Sequence, residues 1–243
     1  MRAGSGTKTV TSWEGAEDSV RRVSSYTFHG TGSANIDRLL GGGFRAGTLT
    51  EVFGRSNSGK SQLAMQAVLV AARGGQKSLY IDTEGAFRPE RVQEMAKARG
   101  WETDDLLERI VYVRSDSSSE QMEAVRKMSS RSATSECRLV VVDTLTRNFS
   151  LDLPGRSNLS SRQGALDLHL SEMARDAYLN SRAYVLTNRV TFGANRDVGI
   201  GGKTVEQLVG ESVLLERVQG GIRATVISSG RSTSGSVGPF GVD

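Results

Sequence analysis

Residues Leu49 to Ser61 read Leu-Thr-Glu-Val-Phe-Gly-Arg-Ser-Asn-Ser-Gly-Lys-Ser. The first five are an apolar strand candidate. The last eight fit Gly-x-x-x-x-Gly-Lys-Ser at every specified position, and a helical pattern follows from Ser61 to Arg73. Strand, glycine-bearing loop and helix in this order predict a phosphate-binding loop. The glycines let backbone N–H groups turn inward, and the helix directs its positive dipole end at an anion. The residues expected at the phosphates are Gly54, Arg55, Ser56, Asn57, Ser58, Gly59, Lys60, Ser61 and Gln62. Lys60 supplies the charge that meets the outer phosphates of a nucleoside triphosphate, and the Ser61 hydroxyl is a ligand for Mg²⁺.

Outward from this loop the pattern alternates. Strand candidates are Leu49–Phe53, Ser78–Asp82, Ile110–Val113, Arg138–Asp143 and Ala183–Thr187. Helical stretches fall at Ser61–Arg73, Pro89–Arg99, Ser119–Arg131 and Ser161–Ser181, and Ile36–Leu40 reads as a short helix stopped by three glycines. Near-continuous apolar strands alternating with helices predict an α/β fold, a mostly parallel sheet covered on both faces. The tail departs from this rhythm. Ser212–Arg217 and Arg223–Ser228 flank Gln219-Gly220-Gly221 and read as an antiparallel hairpin at the sheet edge. Residues 1–25 read as a flexible arm and 26–243 as one core domain.

Composition narrows the rest. The 243 residues carry a net charge of +4, which permits nucleic-acid binding without requiring it. No apolar run reaches the length of a membrane helix, and Met1 to Arg22 lacks a signal-peptide pattern. The single cysteine, Cys137, precludes an intrachain disulfide and fits a reducing, cytoplasmic setting. It reads as a buried bystander. His29 and His169 stand alone, with no metal-ligand spacing.

Two carboxylates stand at strand ends. Asp143 closes the run Leu139-Val140-Val141-Val142, where a carboxylate faces the ligand crevice of an open α/β sheet and would hold Mg²⁺ opposite Ser61. Glu84 follows Tyr80-Ile81-Asp82-Thr83 and is placed to activate a water against the terminal phosphate. A surface pair with Lys77 or Arg88 is its alternative. Two long segments, Thr146 to Ser160 and Val190 to Thr204, read as loops too long to be idle. Arg147, Arg156 and Arg162 lie in or beside the first, and Arg189, Arg196 and Lys203 in or beside the second. They are a candidate DNA-binding set or ordinary solvated charge. Phe149 and Phe192 either stack on bases or pack against the domain.

Five segments together resemble the RecA/RadA recombinase family, in its archaeal and eukaryotic branch. They are TGSANIDRLLGGGFRAGTLTEVFGRSNSGKSQLAMQ from Thr31, YIDTEGAFRPERV from Tyr80, LVVVDTLTR from Leu139, LSSRQGALDLHL from Leu159 and VLTNRV from Val185. The resemblance implies a RecA-like ATPase core that binds ATP, Mg²⁺ and single-stranded DNA in recombination and repair. It implies that Glu84 is the catalytic glutamate, that Arg91 stacks on adenine, and that the two long segments are the DNA-binding loops. Oligomers follow from it, because the family completes its sites across subunits. The chain departs from the full recombinase in lacking a helix-hairpin-helix domain before the core and a Phe-x-x-Ala motif. Its second loop is short, and Arg189 stands where the family has a phosphate-sensing Gln. These departures fit a RadA paralog with weak ATP hydrolysis that assists a main recombinase. A minimal strand-exchange recombinase and a KaiC-like nucleotide-gated interaction protein are the alternatives.

Overall fold

The computed structural model describes residues 27–128, 132–192, 197–228 and 231–237. The arm expected over residues 1–25 lies outside them. A short hairpin opens the chain, β1 (Phe28–His29) with β2 (Phe44–Arg45), enclosing helix α1 (Ala34–Leu39). Next come β3 (Leu49–Phe53), α2 (Lys60–Arg73), β4 (Lys77–Asp82), α3 (Pro89–Ala98), α4 (Asp104–Glu108), β5 (Ile110–Arg114), α5 (Ser118–Met128), α6 (Ser132–Ser135) and β6 (Cys137–Asp143). After β6 follow α7 (Arg147–Asp152), α8 (Leu159–Asn180), β7 (Ala183–Asn188), a small hairpin β8 (Val190–Phe192) with β9 (Asp197–Gly199), α9 (Lys203–Leu208), β10 (Glu211–Val218), β11 (Gly221–Ser228) and β12 (Arg231–Val237).

The main sheet has eight strands in the order β12-β11-β10-β3-β7-β6-β4-β5. The pairs from β10 to β5 are all parallel. β11 and β12 are antiparallel additions, and the expected hairpin closes with Val218 opposite Gly221.

Inside the apolar strands the period of two decides what covers them. Leu139 and Val141 of β6, with Val185 of β7, join Leu63, Val68 and the other buried residues of α2 in a core on one face. Val140, Val142 and Leu186 join Met122 of α5 with Leu166, Leu170 and Met173 of α8 in a core on the other. A strand buried on both faces therefore needs no polar alternation, which is why these runs look featureless in sequence.

The first long segment is not a bare loop. Residues 147–152 form α7, because Asn148 and Phe149 are fully buried. Phe149 packs with its ring centroid 5.6 Å from that of His169, so it belongs to the core rather than to a stacking surface. The second segment is likewise built, from β8, β9 and the start of α9. The Phe192 side chain and all of Arg196 lie outside the described residues.

Candidate phosphate-binding site at the carboxyl edge

Because β3, β7, β6 and β4 run parallel, their carboxyl ends share one edge. Phe53 pairs with Asn188, and Asp82 with Asp143. The glycine loop leaves β3 at that edge. A Cβ on Gly54 would meet the Leu215 carbonyl oxygen at 2.3 Å, so only glycine fits between loop and β10. Gly59 precedes α2 with φ 96°, a left-handed turn that aims the first N–H groups of the helix into the loop.

Lys60 reaches back across the loop. Its ammonium donates to the carbonyl oxygens of Gly54 (2.9 Å) and Arg55 (2.8 Å) and lies 3.5 Å from Ser58 Oγ. Burial lowers its pKa, against the charges of Asp143 and Glu84 and with that of Arg189. All four charged groups therefore act on one small volume.

Asp143 is buried, and burial raises its pKa. The Tyr80 hydroxyl donates to Oδ2 at 2.7 Å, Thr187 donates to Oδ1, and Ser61 also hydrogen-bonds the carboxylate. Carboxylate plus hydroxyl at a helix start is an oxygen donor set suited to Mg²⁺, which is held through few protein ligands, water and substrate phosphates. No group of three or more His, Cys, Asp or Glu side chains placed to hold a metal ion occurs among the described residues.

Glu84 stands on the turn after β4, and Asp82 fixes that turn. Asp82 Oδ1 accepts the N–H groups of Glu84 (3.0 Å), Gly85 (2.7 Å) and Ala86 (3.1 Å), while Oδ2 accepts that of Phe87 (3.0 Å). Neither expected surface partner holds Glu84. Lys77 pairs with Glu136 at 2.8 Å, and Arg88 donates to the carbonyls of Gly85 and Phe87. Glu84 Oε1 instead accepts from Arg189 Nη2 at 2.7 Å.

Arg91 is beside the loop helix, its Nε donating to Gln62 Oε1 at 3.2 Å. The cations of the long segments divide. Arg147 donates to the Thr83 carbonyl (2.7 Å), Arg162 to the Leu153 carbonyl (2.8 Å), and Arg189 is tied to Glu84. Arg156 and Lys203 are exposed and make no side-chain bond among the described residues. Cys137 is buried and its thiol is pushed up to about 11, the inert bystander expected.

Three residues of this edge carried no sequence expectation. Asp82 is one. Its signal was available in Asp82-x-Glu84-Gly85, an aspartate whose side chain caps the turn after it. Asn188, fully buried, is the second. It accepts from Thr146 Oγ1 (2.9 Å) and from the Arg189 N–H (3.0 Å), and donates to Glu51 Oε1 (2.7 Å) and the Ile200 carbonyl (2.7 Å). It thereby ties the roots of both long segments to β3. Glu51, an acid inside an apolar strand, is the third. It accepts from Asn188 and Ser212, and burial raises its pKa.

A parallel sheet with a glycine loop after β3 and acids at the ends of β4 and β6 defines a RecA-like core with a phosphate-binding loop. The Rad51 family model matches residues 22–229, and the chain belongs to that family. It is 37% identical to the DNA repair and recombination protein RadA of Ignicoccus hospitalis, over 79% of this chain and 64% of that one. The RadA of Aeropyrum pernix gives the same identity and coverage, 37%, 79% and 64%. The chain thus spans a little under two thirds of the length of these relatives.

Proposed function

We propose that the chain binds and hydrolyses ATP with Mg²⁺ as an accessory, RadA-paralog-type protein of DNA recombination and repair. The observation that carries this is the convergence of Lys60, Ser61, Asp143 and Glu84 on one edge of the sheet, with the family membership beside it. The loop amides and Lys60 hold the triphosphate, and the lysine exchanges its two carbonyl partners for phosphate oxygens. Ser61 and Asp143 would hold Mg²⁺, and the ion would supply charge neutralisation at the outer phosphates. Glu84 orients the attacking water and takes its proton. Arg91 covers the adenine. Arg156 and Lys203, with Arg196, meet single-stranded DNA, and Arg147 and Arg162 shape the segment that presents Arg156. A RadA-type recombinase is the expected protein partner, and a second copy of the chain closes the site where it oligomerises.

The test is ATP turnover with and without single-stranded DNA, with Lys60→Ala and Glu84→Gln alongside. Expected is slow, DNA-stimulated turnover that falls with Glu84→Gln, and loss of nucleotide affinity with Lys60→Ala. Unchanged ATP affinity in Lys60→Ala overturns the loop assignment. Turnover indifferent to DNA removes the DNA half of the reading.

A further inference from the structure

Glu84 has its backbone fixed by Asp82 and its side chain fixed by Arg189, and the second attachment has no part in the reading above. Arg189 follows β7, two strands away from β4 across β6. Two interstrand spacings are about 9–10 Å, so the Arg189 and Glu84 side chains meet across the end of β6. The root of the Arg189 side chain is held on both sides. The Arg189 N–H donates to Asn188 Oδ1 at 3.0 Å, and its carbonyl accepts the Ile200 N–H at 2.9 Å. The pair sits beside Lys60, since the charges of both Arg189 and Glu84 act on the lysine.

A water-activating base works best when a third group fixes its orientation. Anchoring Oε1 leaves Oε2 for the water. A second requirement is electrostatic. A triphosphate entering beside Lys60 brings negative charge toward Glu84, and a guanidinium in contact with the carboxylate offsets that repulsion.

We propose that Arg189 is a positioning residue for hydrolysis, orienting Glu84 and compensating its charge rather than serving as a contact to DNA. This rests on the ATPase reading of the site.

The experiment is a double-mutant cycle on steady-state ATP hydrolysis by the full chain, using Arg189→Ala, Glu84→Gln and the double variant. Fluorescent ADP binding serves as the control for an intact pocket. Expected for Arg189→Ala is a fall in kcat of about 10- to 100-fold, the scale of a misplaced base. ADP affinity should stay within about threefold, because ADP lacks the terminal phosphate whose charge meets Glu84. Arg189→Lys keeps the charge without the planar fork and should recover part of the loss. In the Glu84→Gln background, Arg189→Ala should have no further effect, since it acts through Glu84. Unchanged kcat in Arg189→Ala overturns the proposal. So does a raised kcat, which would make the pair a brake, or a loss that adds fully to that of Glu84→Gln. Absence of Glu84-dependent turnover in the unaltered chain defeats the ATPase reading itself. Glu84-dependent turnover indifferent to Arg189 defeats this inference alone.

Discussion

Strand β7 has an arginine–carboxylate pair at each end, and the two are opposites. At the amino end, Arg182 is 1% exposed and makes two bonds to Asp176, at 2.8 and 2.9 Å. Its Nε and Nη2 donate to the carbonyls of Cys137 and Ser135, both at 3.0 Å, and Tyr184 donates to Asp176 at 2.7 Å. At the carboxyl end, the Arg189 side chain is 55% exposed and makes one hydrogen bond among the described residues, to Glu84. A buried, multiply bonded pair leaves little room for another partner and fixes β7 against α8 and β6. A single-bonded, half-exposed pair can accept a ligand. The amino end of the sheet is built to stay as it is, and the carboxyl end is left with unused bonding capacity where substrate would enter.

The largest effect that tests this contrast is on stability. Arg182→Ala leaves Asp176 partly buried and strips two carbonyls of their donor. It should cost about 3–5 kcal/mol in urea unfolding, as expected for breaking a buried pair. A cost under about 1 kcal/mol would place the two ends in the same class.

Acid should separate the ends next. His169 lies behind the carboxyl edge, packed on Phe149 of α7 and 3.3 Å from the Gln121 amide nitrogen. Burial, with a small contribution from Arg126, lowers its pKa to about 3. The unfolded chain takes up the proton near 6.5, so the neutral folded form loses stability as pH falls below that value. The loss should be about 2 kcal/mol between pH 7 and pH 5. His169→Leu should flatten that slope in urea unfolding at the two pH values. An identical slope would mean that other groups govern acid sensitivity.

Glu51 probes the polar hub beneath the edge. Glu51→Ala leaves Ser212 and one Asn188 donor without their acceptor and should cost about 1–3 kcal/mol. Glu51→Gln retains an acceptor for Asn188, and its amide N–H can donate to the Ser212 hydroxyl in place of the bond that Ser212 now donates. Because burial raises the pKa of Glu51, its ionised form is disfavoured in the fold, and the contribution of this group is lost as pH rises. The Gln variant should therefore match or exceed the native chain in thermal stability at pH 8. A large loss in Gln would show that the charge itself is required.

The parallel sheet, its helices and the hairpin after β10 were legible because each rests on local pattern: apolar runs, helical spacing and a Gly-Gly turn. The glycine loop and the helix that follows it were legible for the same reason, as the residues that shape them are contiguous. What escaped is what depends on strand order. Strands β7, β6 and β4 are neighbours at one edge only in three dimensions, so nothing near Arg189 in sequence announces Glu84 as its partner. The helix over 147–152 was hidden in the same way. Its burial of Phe149 depends on His169 of α8, and its residues have no strong helical spacing of their own. Family resemblance marked Arg189 as a departure, and the fold supplied what stands opposite it.

The smallest expected effect returns to Arg189. Exposed ion pairs contribute little, because water screens the charges and two long side chains must be ordered. Arg189→Ala should therefore change unfolding free energy by less than about 1 kcal/mol, while Arg182→Ala on the same strand costs several times more. The two measurements form one comparison at fixed backbone and residue type. A cost for Arg189→Ala approaching that of Arg182→Ala would mean that the carboxyl end is held by the pair rather than by Asn188 and Asp82. A small cost joined to a large fall in kcat would separate the roles, with Arg182 keeping the strand in place and Arg189 keeping the base in place.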